Sequence, residues 1–261
     1  MKLSDVLYKF KKGLKMQNNK LKVKNFNLKD SISKKEYNEK LFDIVAPRYD
    51  FVTRVLSFGR DIAWKKLLIK ELPASGVETC LDLACGTGDI TYMLYNNYNN
   101  ANITGFDLND EMLKISLKRY KVFSGNMFFE KGDMCNTKKP DDSYDIVTGS
   151  YALRNAPNIP NVIKEIYRVT KQGGKCAFLD FSKSKVRLIQ KMQLFFLRFW
   201  GSLWGVILHG NSEIYAYIAD SLQLYPEREE LKKIIEGTGF KNLKSKILFF
   251  GFIEIITFEK L

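Results

Sequence analysis

The stretch Leu81-Asp82-Leu83-Ala84-Cys85-Gly86-Thr87-Gly88-Asp89 limits most narrowly what this chain can fold into. An apolar run enters a turn with two glycines one residue apart, and a helical pattern begins directly behind it. Glycine lets the backbone turn sharply there and lets a ligand approach the main chain closely. Short β-rich runs at 80–84, 103–107, 127–130, 144–148 and 175–180 alternate with helical patterns such as 110–120 and 159–169. That alternation predicts a mostly parallel sheet with helices on both faces. Two late runs, 243–250 and 252–258, are split by Gly251 and predict an antiparallel pair closing a seven-stranded, Rossmann-like α/β sheet. Ligands of such sheets bind beyond the carboxyl ends of the strands, where the strand order reverses.

The second strand ends in Gly105-Phe106-Asp107-Leu108, about 20 residues beyond the glycine turn. A carboxylate there is placed to accept from two vicinal ribose hydroxyls, because it offers two acceptor oxygens. A dinucleotide fingerprint requires a third glycine at the helix start, but Gly86-Thr87-Gly88 is followed by Asp89-Ile90-Thr91. An acid at that helix start repels a pyrophosphate and tolerates a cofactor carrying an ammonium and a sulfonium. With Asp82 just before the turn, the pattern points to S-adenosylmethionine, held by Asp82, Gly86, Gly88 and Asp107. Asp89 also suits a helix cap. After the third strand, Asp133 can accept from an adenine amino group and Met134 can pack on its ring, although Asp133 equally suits a turn.

The formal charge is +13, from 42 Lys+Arg against 29 Asp+Glu, which fits an anionic membrane, a nucleic acid or an acidic substrate. Cys80, Cys85, Cys135 and Cys176 form no CxxC pair and His209 is the sole histidine, so neither a zinc site nor a disulfide framework is expected. No apolar run reaches the roughly 20 residues that span a bilayer. Residues 1–35 read as a basic helical extension in which Leu3, Val6, Leu7, Phe10 and Leu14 recur at helical spacing. Such a segment suits an anionic membrane surface, organelle targeting or a solvated tail. Residues 36–261 form the catalytic domain, with an aromatic-rich helical insertion at about 185–220 that serves as a lid or as a packed crossover.

Several blocks carry a family resemblance: Leu41-Phe42-Asp43-Ile44-Val45-Ala46-Pro47-Arg48-Tyr49-Asp50, Leu56-Ser57-Phe58-Gly59, the glycine turn, Leu153-Arg154-Asn155, and Leu179-Asp180-Phe181-Ser182. From about Leu41 to the C-terminus the chain resembles the UbiE-type ubiquinone/menaquinone C-methyltransferases, which are class I S-adenosylmethionine-dependent enzymes. The resemblance implies that Thr87, Asp107, Asp133, Met134 and Ser150 contact the cofactor. It puts Arg154 and Asn155 beside a polyprenylated quinol, either a demethylmenaquinol or a 2-polyprenyl-6-methoxy-1,4-benzoquinol. Arg154 is then expected to stabilise a phenolate oxygen and Asn155 to bond the second ring oxygen. The chain departs from the pattern at Tyr151-Ala152, where Phe-Gly is common, and around His209-Gly210-Asn211.

The implied setting is peripheral: the inner face of a bacterial membrane, or the matrix side of a mitochondrial inner membrane. A homodimer or a biosynthetic complex is compatible with it. Nucleic acid is not expected, because the Asn-Pro-Pro-aromatic motif of amino-group methylation is missing after the fourth strand. A methyltransferase with another small hydrophobic acceptor, or a non-catalytic scaffold of the same fold, are the rivals.

Overall fold

The computed structural model describes residues 21–122 and 125–261. The basic pattern at residues 3–14 lies outside the described residues. Three helices precede the sheet: α1 (Ser31–Val45), α2 (Tyr49–Leu56) and α3 (Asp61–Lys70). The Asp30 side chain caps α1 by accepting from the Ser33 N–H at 2.8 Å. Packing against the fold is seen before residue 36 as well. Leu21 is buried, the Val23 N–H donates to Glu213 at 2.6 Å, and α1 already begins at Ser31. Lysine-rich composition suggested a solvated tail, but Lys34 and Lys35 both find partners within the fold.

The alternating portion runs β1 (Thr79–Leu83), α4 (Asp89–Asn97), β2 (Asn102–Asp107), α5 (Asp110–Tyr120), β3 (Met127–Lys131), β4 (Tyr144–Ser150), α6 (Ile159–Val169) and β5 (Thr170–Phe181). It continues through α7 (Arg187–His209), α8 (Glu213–Leu224), α9 (Arg228–Thr238), β6 (Lys241–Leu248) and β7 (Ile253–Glu259). The strand order is β3-β2-β1-β4-β5-β7-β6, with β1 to β5 parallel and β7 antiparallel to both neighbours. The predicted seven-stranded architecture is therefore the observed one. Chain progression reverses direction between β1 and β4, which opens the crevice at their carboxyl ends.

Side-chain alternation fills two cores. Leu81 and Leu83 of β1 pack with Val162, Ile166 and Ile235 from α6 and α9. Cys80 faces the other way and joins Leu68, Ile90 and Leu94 from α3 and α4. Helices α5 and α6 coincide with their predicted bounds because Asn109 and Asn158 cap them locally. The closing pair differs from expectation. Phe249 and Phe250 adopt left-handed φ of 46° and 54°, so β6 stops at Leu248 and a 3-10 turn carries the chain into β7. Aromatic composition suggested extended chain there, and the turn overrides it.

Helices α7 and α8 form a hairpin broken at Gly210, whose φ is 65°. Their backbones touch because Gly201 and Gly205 lack side chains: a Cβ at either position would stand 2.4 Å from the carbonyl oxygen of Tyr215 or Asn211. Gly201→Ala should pry the hairpin apart and cost about 1–3 kcal/mol, read as a lower urea midpoint with unchanged slope.

Candidate active site

Beyond β1 the chain passes through left-handed residues Ala84 (φ 51°), Gly86 (φ 55°) and Gly88 (φ 88°). Gly88 is obligatory on two counts, since a Cβ would also press within 2.8 Å of Tyr120 and 3.0 Å of Phe129. Asp107, at the end of β2, holds the turn. One of its oxygens accepts from the Gly86 N–H at 2.7 Å and the other from the Asn109 N–H at 2.8 Å. Burial pushes the Asp107 carboxyl up, and these backbone donors oppose the rise.

A cleft of about 750 Å³ opens over this turn. Gly86, Asp107, Asp133, Met134 and Ser150 all line it, so the structure brings these five expected residues together. Ala84, Phe106, Met112 and Met134 supply apolar wall, while Glu39, Asp107 and Asp133 face it against the single base Lys35. Lys35 bonds Asp133 at 2.6 Å, and the Cys135 N–H donates to the other oxygen at 2.8 Å. Burial raises the Asp133 carboxyl, but these partners outweigh it and hold the group below its usual range. An apolar wall, a carboxylate with spare lone pairs and an excess of acids fit a nucleoside bearing net positive charge.

Asp82, Thr87 and Gly88 do not line the cleft. Asp82 is 1 % exposed and faces the opposite side of the sheet from Leu81 and Leu83, where Thr91 and Thr148 donate to its two oxygens at 2.7 and 3.0 Å. The Thr87 hydroxyl is buried and donates to Asp50 at 2.7 Å. Gly88 packs against Tyr120 and Phe129. Asp89, whose charge favoured a cationic cofactor in the sequence, pairs with Lys65 at 2.8 Å and Arg119 at 3.2 Å. The acids that face the cleft are others.

A second cavity of about 860 Å³ adjoins the first. Phe42, Tyr49, Tyr151 and Asn155 line both. Its far walls are apolar, built from Leu56, Phe58, Trp64, Phe196, Phe249 and Phe252. Arg154 and Asn155 stand in it on a 3-10 turn (Leu153–Asn155). The Arg154 guanidinium is buried between the rings of Phe181 and Tyr217, with centroids at 5.1 and 5.9 Å. Its Nη1 donates to the Ser221 hydroxyl, and its Nε lies 3.7 Å from Asp180 without a hydrogen bond. The Asn155 Nδ2 donates to the Tyr151 carbonyl at 2.9 Å, which leaves Oδ1 buried and unpartnered at the junction. Such an atom points to a ligand donor.

Tyr49 and Tyr151 received no role from sequence reasoning. Tyr49 stood within a recognised block, and Tyr151 was visible only as a departure. Both phenols are pushed up by burial and stay neutral, able to donate. Tyr151 also holds a left-handed φ of 57°, the kind of local strain that a functional site retains.

The strand order is that of the class I S-adenosylmethionine-dependent methyltransferase fold. A methyltransferase structure from Thermotoga maritima superposes with a TM-score of 0.59 at 17% identity, covering 85% of this chain and 99% of that one. The ubiE/COQ5 methyltransferase family matches residues 30–259, and the chain belongs to that family. Relatives include the ubiquinone/menaquinone biosynthesis C-methyltransferase UbiE of Desulfotalea psychrophila, 32% identical over 83% of this chain and 87% of that protein. The demethylmenaquinone methyltransferase of Geobacillus stearothermophilus is 30% identical over 84% and 94%.

Burial pushes the Asp82 carboxyl up to about 6, against the bonds from Thr91 and Thr148. The folded state thus holds this proton more tightly than the unfolded chain, and ionising it as pH rises through 6 costs stability. Asp82→Asn should therefore melt higher than the wild type, by a wider margin at pH 7.5 than at pH 5, in thermal unfolding followed by circular dichroism.

Proposed function

We propose that this enzyme transfers the methyl group of S-adenosylmethionine to a ring carbon of a polyprenylated quinol, of the demethylmenaquinol or methoxybenzoquinol type. One observation carries the reading: an acid-lined cleft and a large aromatic cavity meet at four shared residues, with the unpartnered Asn155 Oδ1 at the seam. Relatives named for ubiquinone, menaquinone and demethylmenaquinone methylation support the acceptor.

In this reading Asp107 accepts from the ribose hydroxyls with lone pairs left free by Gly86 and Asn109. Asp133 and Met134 address the adenine, and Ser150 closes the floor at the end of β4. The cofactor supplies an electrophilic methyl on a sulfonium. Ionised at one phenol, with that proton passed to solvent, the quinol would place electron density on the neighbouring ring carbon; that carbon would take the methyl and give up its own proton, through solvent, to the phenol oxygen. Arg154 favours the phenolate, because its charge is permanent and its Nε, 3.7 Å from Asp180, makes no hydrogen bond. Asn155 Oδ1 accepts from the second ring hydroxyl and fixes the ring's orientation.

The apolar tail leaves past Phe58 and Phe196, beside the outward face of α7. Leu188, Met192, Phe195, Phe199 and Val206 are exposed along that face, Phe195 to 73%. The helix holds no acid, and Arg187 and Lys191 flank the stripe. Among the described residues no helix is long and apolar enough to cross a membrane. We infer that α7 lies in the headgroup region of an anionic bilayer, at the cytoplasmic or matrix face.

Arg154→Ala should lower kcat on a short-tailed quinol by at least about a hundredfold while S-adenosylhomocysteine affinity, read by calorimetry, stays put. Normal turnover in that variant removes Arg154 from the chemistry. The full chain should float with phosphatidylglycerol vesicles far better than with phosphatidylcholine ones, and Phe195→Asp/Phe199→Asp should abolish the difference. Equal flotation with both lipids rules out the electrostatic part.

A further inference from the structure

Four consecutive backbone carbonyls beside the reaction gap are taken by a single face of α1. Lys34 Nζ donates to the carbonyl of Arg154 at 3.0 Å and to that of Ala156 at 2.6 Å. Asn38 Nδ2 donates to the Asn155 carbonyl at 2.7 Å, and the Ser31 hydroxyl to that of Pro157 at 3.2 Å. Positions 31, 34 and 38 fall on one side of a helix. The turn cannot satisfy these oxygens itself. Its internal bonds run from the Asn155 N–H to Ala152 and from the Ala156 N–H to Leu153, so the carbonyls from 154 onward have no partner within it.

Lys34 is the costly member of this set. Only 8% of it is exposed, and the Arg154 guanidinium opposes its charge while Asp180 and Cys135 support it. Burial first, and Arg154 second, lower its ammonium from the usual lysine range to about 8. A cation kept beside a second cation, away from water, is a poor choice for mere filling. Lys34 does not line the cofactor cleft, whereas Lys35, Asn38 and Glu39 of the same helix do.

We propose that Lys34 is a positioning residue for methyl transfer: its two bonds hold the 153–155 turn so that Arg154 and Asn155 face the acceptor ring. The inference rests on the roles given to Arg154 and Asn155 above. It makes α1 a shared part of two sites: Lys35 and Glu39 face the cofactor cleft, Lys34 holds the acceptor turn, and Asn38 touches both.

Lys34→Met in the full chain tests it. A displaced turn should cost roughly tenfold to a hundredfold in kcat per folded enzyme. The Kd of S-adenosylhomocysteine, measured by calorimetry, should move by less than about threefold. Lys34→Gln keeps a donor without the charge and should recover part of the loss. Amide exchange at Asn155 and Ala156 should speed up in Lys34→Met, a readout independent of turnover. Wild-type turnover in Lys34→Met, or a loss matched by equally weakened S-adenosylhomocysteine binding, overturns the proposal. Should Lys34→Met fail to fold, Lys34→Gln is judged by the same kcat and Kd. If the wild type itself does not methylate a prenylated quinol, the acceptor reading fails, and unchanged exchange at Asn155 and Ala156 then overturns the role of Lys34 on its own.

Discussion

The carboxylate of Asp107 takes the Gly86 N–H on one oxygen and the Asn109 N–H on the other. Through the first bond the end of β2 fixes the left-handed turn after β1; through the second it fixes the start of α5, which Asn109 caps. Two strands and a helix thus meet at one side chain. The cleft floor is held by the protein's own bonds, which lowers the free energy that binding must spend on ordering it. The same group presents its remaining lone pairs to the cleft.

A charged network on the rear of the turn extends this rigidity to the wall of the aromatic cavity. Asp50, at the start of α2, accepts from Thr87 and pairs with Arg119. Lys65 of α3 bridges Asp89 and Asp61, and Ser57 donates to Asp61. Lys65 and Asp61 are almost fully buried, so salt screens these pairs little. Helices α2 and α3 bring Ser57, Phe58 and Trp64 to the cavity wall. The glycine turn and the wall of the aromatic cavity are therefore parts of one framework, joined in front by α1 and behind by this network.

The sequence revealed whatever depends on near neighbours. Strand-helix alternation, the glycine turn, Asp107 and the capped helices α5 and α6 all rest on contacts within a few residues or on a fixed topology. The direction of a single side chain does not. Asp82 and Asp89 read as cofactor acids because they flank the turn, but Thr148, Lys65 and Arg119, distant along the chain, claim them. Lys34 was lost in a lysine-rich run, since nothing local marks which lysine meets the carbonyls of Arg154 and Ala156. Phe249 and Phe250 looked like strand because aromatic rings favour extended chain, while the turn that holds them is set by the register of β6 on β7.

The chain has three tryptophans, one lining the large aromatic cavity and two stacked behind its wall. Trp64 lines it, Trp200 stacks on Phe58 with centroids 5.4 Å apart, and Trp204 meets Trp200 edge-on at 5.9 Å. The indole nitrogens of Trp200 and Trp204 are buried without hydrogen-bond partners. Indole emission responds to the polarity and stacking around it, so all the tryptophan emission of this protein, as distinct from that of its 13 tyrosines, originates in one region. The molecule carries its own optical gauge of how full that cavity is, with no label attached.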